Sequence, residues 1–290
     1  MFAGIIFYEF LYVVQSHIPI DKSKRAFFKR SSDIGFLTLG AGYAGAGIVG
    51  GAKEPILVEV EVKQNHFDKP YKIAQISDMH IGGLIDRDFV KKSVEMINAQ
   101  EPDFVVITGD LIDRDILEIK DAVDELQNLK SRLGTFFVVG NHEYFHNIQN
   151  ILAYLKKINI TVLENDAIEI EDFYLVGVYD TFGYRYGSYV PDIQKATKNI
   201  PTDKPTLLLA HQPKFVEYLE DFEPSLMLSG HTHGGQVWPL GYLATLKQPY
   251  LQGLYALGEN RHIYVNSGIG FWGPPLRLGT SAEITMIYWG

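Results

Sequence analysis

Five short apolar runs in this chain each end just before a side chain able to bind a cation. Ile73-Ala74-Gln75-Ile76 leads to Asp78 and His80, Val105-Val106-Ile107 to Asp110, and Phe136-Phe137-Val138-Val139 to Asn141. Leu207-Leu208-Leu209-Ala210 leads to His211, and Leu226-Met227-Leu228 to His231 and His233. Compact apolar runs of this length are expected as buried strands. In open α/β sheets the loops at the carboxyl ends of the strands converge. Seven ligands far apart in sequence are therefore expected in one place. Gly109, Gly140 and Gly230 precede three of them. A residue without a Cβ lets the chain leave a strand sharply.

Taken singly, each residue has an ordinary explanation. An Asp after a strand caps the next helix, an Asn beside Gly makes a turn, and a lone His is a hydrogen-bonded surface residue. Caps and turns do not account for five such blocks in order at five strand ends. His231-Thr232-His233 is the most specific, because two imidazoles one residue apart in a glycine-framed loop can face different metals. Imidazole, carboxylate and amide oxygen together suit divalent Mn, Fe, Zn or Ni. The chain has no cysteine, so thiolate sites and disulfides are excluded. Two such ions side by side are a device for breaking phosphate esters.

The rest of residues 56–290 alternates strand and helix, then turns to strand. Residues 56–63 alternate, with Val58, Val60 and Val62 on one face. Further strands are expected at 71–76, 104–108, 135–139, 206–210 and 225–228, with two or three between 160 and 180. Helical spacing predicts helices at 87–99, 117–129, 148–158 and 214–222. The region 253–289 reads as all β. Alternation followed by a β-rich end predicts an α/β sandwich with mixed sheets. At a net charge of −9 there is no general electrostatic case for gripping nucleic acid.

Residues 1–55 differ in composition. Residues 1–14 are apolar except for Glu9, and the 19 residues 34–52 carry no charge. That stretch is close to the ~20 residues needed to cross the hydrocarbon core as a helix. Between them lie Lys22, Lys24, Arg25, Lys29 and Arg30. One reading is a membrane anchor, which by the positive-inside rule puts residues 56–290 on the extracytoplasmic side. A second is a cleaved export signal: Ser23-Lys24-Arg25-Ala26-Phe27-Phe28-Lys29 resembles the twin-arginine signal, with Lys for the first Arg. The third is a glycine-rich buried segment or arm of a soluble protein, which leaves the cytoplasmic side open. Residues 1–20 are a candidate second span, with Glu9 near its middle as the cost.

In order, the blocks Asp78-Met79-His80, Gly109-Asp110 with Asp113, Gly140-Asn141-His142-Glu143, His211, and Gly230-His231-Thr232-His233 resemble those of the calcineurin-like metallophosphoesterases. The resemblance spans about residues 71–290. Gly230 to Gln236, reading GHTHGGQ, is similar to the bacterial membrane-linked or exported subgroup. It implies a four-layer α/β/β/α sandwich and two divalent metal ions. It also implies that Asp78, His80 and His233 hold the first ion and Asn141, His211 and His231 the second, with Asp110 bridging both. By the same resemblance, His142 lies beside the phosphate as a catalytic group and Asp113 orients it. Arg114 is a candidate phosphate contact, with a solvated surface role as the alternative.

The activity so implied is hydrolysis of phosphate mono- or diesters. A water shared by two cations becomes acidic enough to attack phosphorus in line, and His142 stabilises or protonates the leaving oxygen. A non-catalytic scaffold of the same fold would be expected to have lost ligands, and none is lost. A nuclease is disfavoured by the acidic charge. The aromatic segment 179–189 and residues 236–250, including Trp238, are candidates for a substrate pocket on a lipid- or nucleotide-linked phosphate, with ordinary packing as the alternative.

Overall fold

The structure is a computed structural model and describes residues 8–10, 12–14, 21–64 and 67–290. The long helix α1 (Lys22–Gly51) is followed by β1 (Ile56–Val62), β2 (Tyr71–Ile76), α2 (Arg87–Asn98), β3 (Phe104–Thr108) and α3 (Lys120–Asp124). Then come β4 (Thr135–Val138), α4 (Ile148–Lys157), β5 (Thr161–Val162), β6 (Asp166–Ile170), β7 (Phe173–Gly177), α5 (Gly183–Tyr186) and α6 (Ile193–Thr197). The chain ends with β8 (Thr206–Leu209), β9 (Leu226–Ser229), β10 (Gly253–Gly258), β11 (Arg261–Val265) and β12 (Glu283–Trp289).

The strands form two mixed six-stranded sheets, ordered β1-β12-β2-β3-β4-β5 and β10-β11-β9-β8-β7-β6. Successive side chains on a strand face opposite ways, and this sorts the apolar residues into three cores. Phe104 and Val106 of β3 point between the sheets, where they meet Leu207, Leu226 and Trp289. Val105 and Ile107 point outward against Val94 and Ile97 of α2 and Leu155 of α4. On the far side, Leu208, Met227 and Ile263 pack on Ile193, Ala196 and Phe215. Three cores between four layers make the α/β/β/α sandwich. In each sheet the ligand-bearing strands are parallel, β2-β3-β4 in one and β8-β9 in the other, so their carboxyl ends emerge on one side.

The period-2 and period-3.6 patterns place most elements well. Two expected helices are shorter and tighter. In place of 117–129 there is α3 followed by a 3₁₀ turn, Glu125–Asn128. The Asp115 side chain accepts from Leu117 N–H at 2.9 Å, and this turn delays the helix start. In place of 214–222 there is a 3₁₀ segment, Pro213–Tyr218. It is stopped by Glu220 at φ 53° and by Pro224, which disfavours helix at the residue before it.

The basic segment and the uncharged stretch form one continuous helix. The Asp21 side chain starts it by accepting from Lys24 N–H at 2.9 Å. Only Gly47 of α1 is buried, which does not fit a buried core segment. Among the described residues it is the one helix long and apolar enough to cross a membrane. The candidate second span falls largely outside the described residues; 8–10 and 12–14 within it are helical. The carboxyl end of α1 meets the sandwich. Gly47, Gly50 and Gly51 lie against residues 275–277, and at Gly50 and Gly51 a Cβ would overlap a backbone carbonyl.

Candidate metal centre

The five blocks converge through backbone hydrogen bonds between neighbouring loops. Asp78 N–H donates to Gly109 C=O, His80 N–H to Asp110 C=O, and Gly230 N–H to His211 C=O, at 2.9–3.0 Å. Close approach requires the glycines: a Cβ on Gly140 would overlap the Asp110 carboxylate, and one on Gly230 would overlap Ser77 and Asp78. Five of the seven expected ligands, Asp78, His80, Asp110, His231 and His233, have φ between 49° and 71°. Non-glycine residues pay for that left-handed conformation, and such strain gathers at functional sites.

Asp78, His80 and His233 form one group whose ligand atoms all lie within 4.8 Å of one another, and Asp110, His211 and His231 form another. Both groups bring nitrogen and oxygen ligand atoms face to face. His211 Nδ1 lies 2.7 Å from Thr108 C=O, so it carries the proton and Nε2 presents a lone pair in the neutral ring. That Nε2 lies 3.2 Å from each of Asn141 Oδ1, Asp110 Oδ2 and His231 Nδ1. A proton on Nε2 would answer only one of these three acceptors, whereas a divalent cation among them answers all four atoms. In the other group His80 Nδ1 donates to Asp113 Oδ1 at 2.9 Å. Its Nε2 is left 3.1 Å from His233 Nε2, which is itself 3.4 Å from Asp78 Oδ1. The residues present fit two cations.

Charge in the centre is tightly linked. Burial works to raise Asp110, but His211 beside it holds the carboxyl well below its usual range. Burial raises Asp78. Burial and the neighbouring His211 push His231 down to about 3, and burial with His80 holds His233 far below the ordinary imidazole range. Neutral imidazole is the form that ligates metal.

His142 is in neither of these groups but forms a third with His80 and Asp110, their ligand atoms again within 4.8 Å of one another. Its N–H donates to Asp110 Oδ1 at 2.7 Å, while its Nε2 is 4.0 Å from Asp110 Oδ2. Its Nδ1 lies 2.7 Å from Asp113 Oδ1. Burial opposes charge on this ring, but the Asp113 hydrogen bond outweighs it and raises the imidazole to about 9. Bound cations act in the opposite direction. Asp113 therefore supports His142 and His80 through a single oxygen. Arg114 is exposed and lines a different cavity, with Gly82, Arg87 and Glu118.

Two residues escape a ligand-centred reading of the sequence. Glu143 is fully buried, and its carboxylate accepts from the N–H groups of Asp110, Leu111, Ile112 and Gly140 at 2.7–3.2 Å. Burial and the nearby Asp110 raise it to about 7. Arg277 is 2% exposed and donates to the carbonyls of Ser267, Gly268, Gly270 and Ser281. Gly270 N–H in turn donates to Asp78 C=O. No spacing signal marks Arg277; it follows an ordinary Pro-Pro-Leu in the last loop.

A cavity of about 650 Å³ opens from Asp110, Asn141, His142, His231 and His233. Val237, Ala244, Trp272 and Pro274 wall its other side. Part of the 236–250 segment thus lines it. The 179–189 segment instead packs on Tyr144, whose hydroxyl donates to Tyr189 C=O at 2.6 Å.

Comparison with known proteins agrees with this geometry. A family model described as calcineurin-like phosphoesterase matches residues 71–235. An uncharacterized metallophosphoesterase of Helicobacter pylori is 42% identical over 285 residues, covering 98% of this chain and 77% of that protein. A Bos taurus protein named transmembrane protein with metallophosphoesterase domain is 38% identical over 259 residues, covering 83% of this chain and 58% of the relative. Among solved structures, a dimetal phosphatase from Danio rerio superposes with a TM-score of 0.45 at 13% identity, over 77% of this chain and all of that one. With the family match covering more than half its length and close relatives named for the same domain, the chain belongs to the calcineurin-like phosphoesterase family.

Proposed function

We propose that this chain is a membrane-anchored phosphoesterase that uses two divalent metal ions, with residues 1–55 as the membrane segment and 56–290 as the catalytic domain. The observation that carries the reading is the pair of ligand clusters, with Asp110 of one also within 4.8 Å of the His80 ligand atom of the other. Asp78, His80 and His233 would hold one ion, Asn141, His211 and His231 the other, and Asp110 both. When bound, the pair supplies Lewis acidity to the phosphate oxygens and to an attacking water. The nitrogen and oxygen ligands accept Mn, Fe, Zn or Ni alike.

The protein's own share is positioning and proton transfer. Asp113 fixes His142 through Nδ1, so Nε2 is the atom free to donate toward the leaving oxygen. Asp113 also holds His80 Nδ1 protonated, which keeps Nε2 available as a ligand. The uncharged stretch of α1 and the basic residues before it support an anchor with the sandwich on the extracytoplasmic side.

Hydrolysis of an aryl phosphate ester with metal analysis tests the reading. The wild type is expected to carry about two ions per chain and to turn over the ester. Asp110→Ala should lose both. His142→Ala should keep the ions and lose about 10²–10⁴ in rate. Full activity in either variant, or a metal-free wild type, would sink the proposal.

A further inference from the structure

The level at which a bilayer crosses this molecule can be read from α1. Asp33 is the last charge before the uncharged stretch 34–52, and Lys53 the first after it. At 1.5 Å per residue that stretch is about 28 Å long, close to the hydrocarbon thickness. The sandwich does not begin where it ends. Tyr43, halfway along, donates its hydroxyl to Trp238 C=O. Arg277 N–H donates to Gly47 C=O at 2.9 Å, and Gly51 abuts Pro275 C=O. From Gly51 back to Tyr43 is about 12 Å along the axis. N-terminal to Tyr43, a Cβ at Gly35, Gly40 or Gly42 would meet open space among the described residues.

A bilayer that covers residues 34–52 therefore also reaches the loops held beside Tyr43 and Gly47. Those loops carry the matching chemistry. Trp238, Tyr242, Leu243, Leu246 and Trp272 are 58–80% exposed. Trp and Tyr favour the boundary between headgroups and acyl chains, and an apolar face sinks about 5–10 Å there. The same loops wall the cavity that opens from the ligand set: Val237, Ala244 and Trp272 line it.

We propose that residues 237–246 and 272–276 form a rim inserted into the bilayer that α1 occupies. The cavity then opens at the polar–apolar boundary, and its substrate is a phosphate ester of a membrane lipid. The substrate part rests on the phosphoesterase reading; the insertion does not. The phosphate reaches the ligand set from the headgroup region while the acyl chains stay between the rim and the membrane.

The full chain, reconstituted in phosphatidylcholine–phosphatidylglycerol vesicles, tests both parts. Its three tryptophans are Trp238, Trp272 and Trp289, and Trp289 is fully buried. Brominated acyl chains are expected to quench the emission, and Trp238→Phe with Trp272→Phe should remove most of that quenching. Hydrolysis of phosphatidic acid in the vesicles is then compared with that of a soluble aryl phosphate. Leu243→Glu with Leu246→Glu should lower the lipid-to-aryl rate ratio about tenfold, because charges are costly at acyl depth. An unquenched wild type overturns the insertion, including the case where a second copy shields the tryptophans. Turnover of the aryl ester with none of the lipid ester overturns the substrate class. A wild type inactive on both esters overturns the phosphoesterase reading itself, while the quenching still decides the insertion.

Discussion

One oxygen of Asp113 serves His142 Nδ1 at 2.7 Å and His80 Nδ1 at 2.9 Å. A residue that only oriented the catalytic imidazole would, on removal, lower the rate and leave metal binding alone. Asp113→Ala should do more. Without the carboxylate, His142 loses its Nδ1 partner, which in the proposed mechanism directs Nε2 toward the leaving oxygen. His80 loses the acceptor that fixes its tautomer, and such supporting partners are worth about 10–100-fold in metal affinity. Titrating metal into Asp113→Ala should therefore show weaker occupancy of one ion, with the other unchanged, and a reduced rate at saturation. A variant that binds both ions at wild-type affinity would confine Asp113 to His142. Asp113 stands three residues after Asp110, and the family resemblance implied that it orients His142. Its second partner was not legible, because His80 reaches it from another strand end and only the folded loops bring the two together.

Between the residue and the whole molecule lie the loops that leave the strands. The Asp110 and Asn141 loops are joined by Glu143, whose carboxylate takes four backbone N–H groups at 2.7–3.2 Å. Removing it leaves buried donors unpaired, at about 1–3 kcal/mol each where water cannot reach them. Some relaxation is expected, so Glu143→Ala should cost about 3–5 kcal/mol in all. That corresponds to a melting temperature lower by about 10 °C for a domain of this size. Glu143→Gln, which keeps one acceptor oxygen, should recover part of the loss. Thermal unfolding by circular dichroism measures both; a Glu143→Ala variant that melts with the wild type would show that the carboxylate is dispensable. Element identity was legible in the sequence because burial imposes a period. Val105 and Ile107 face one layer and Phe104 and Val106 the other, and the strand pattern follows from that. What hid was local. The Asp115 turn and the Pro213–Tyr218 3₁₀ segment are set by side-chain-to-backbone bonds and by prolines, which leave the apolar spacing nearly unchanged. Glu143 and Arg277 hid for a related reason: their partners are backbone groups, which carry no sequence signature.

At the scale of the molecule, the ligand-bearing strands of the two sheets end around one set of buried charges. Asp78 and Asp110 are 0% and 2% exposed and face four imidazoles that lie between the strand ends. Without cations, two buried carboxylates stand among these rings, with Asp110 raising His211 against its burial while burial lowers His231 and His233, and folding must bear the desolvation. Ions that bind only the folded chain stabilise it by about 2.7 kcal/mol at a free concentration of 100 times Kd and about 4.1 kcal/mol at 1,000 times. Removing them with a chelator should therefore lower the melting temperature of the detergent-solubilised chain by about 5–15 °C, and adding Mn or Zn should restore it. Asp110→Ala separates this linkage from general salt effects. It deletes the carboxylate proposed to hold both ions, so its melting temperature should respond little to chelator or metal. If chelation strips the ions from the wild type, as metal analysis would show, yet leaves its melting temperature unchanged, then the strand ends are held by packing alone and the facing lone pairs do not set the stability of the site.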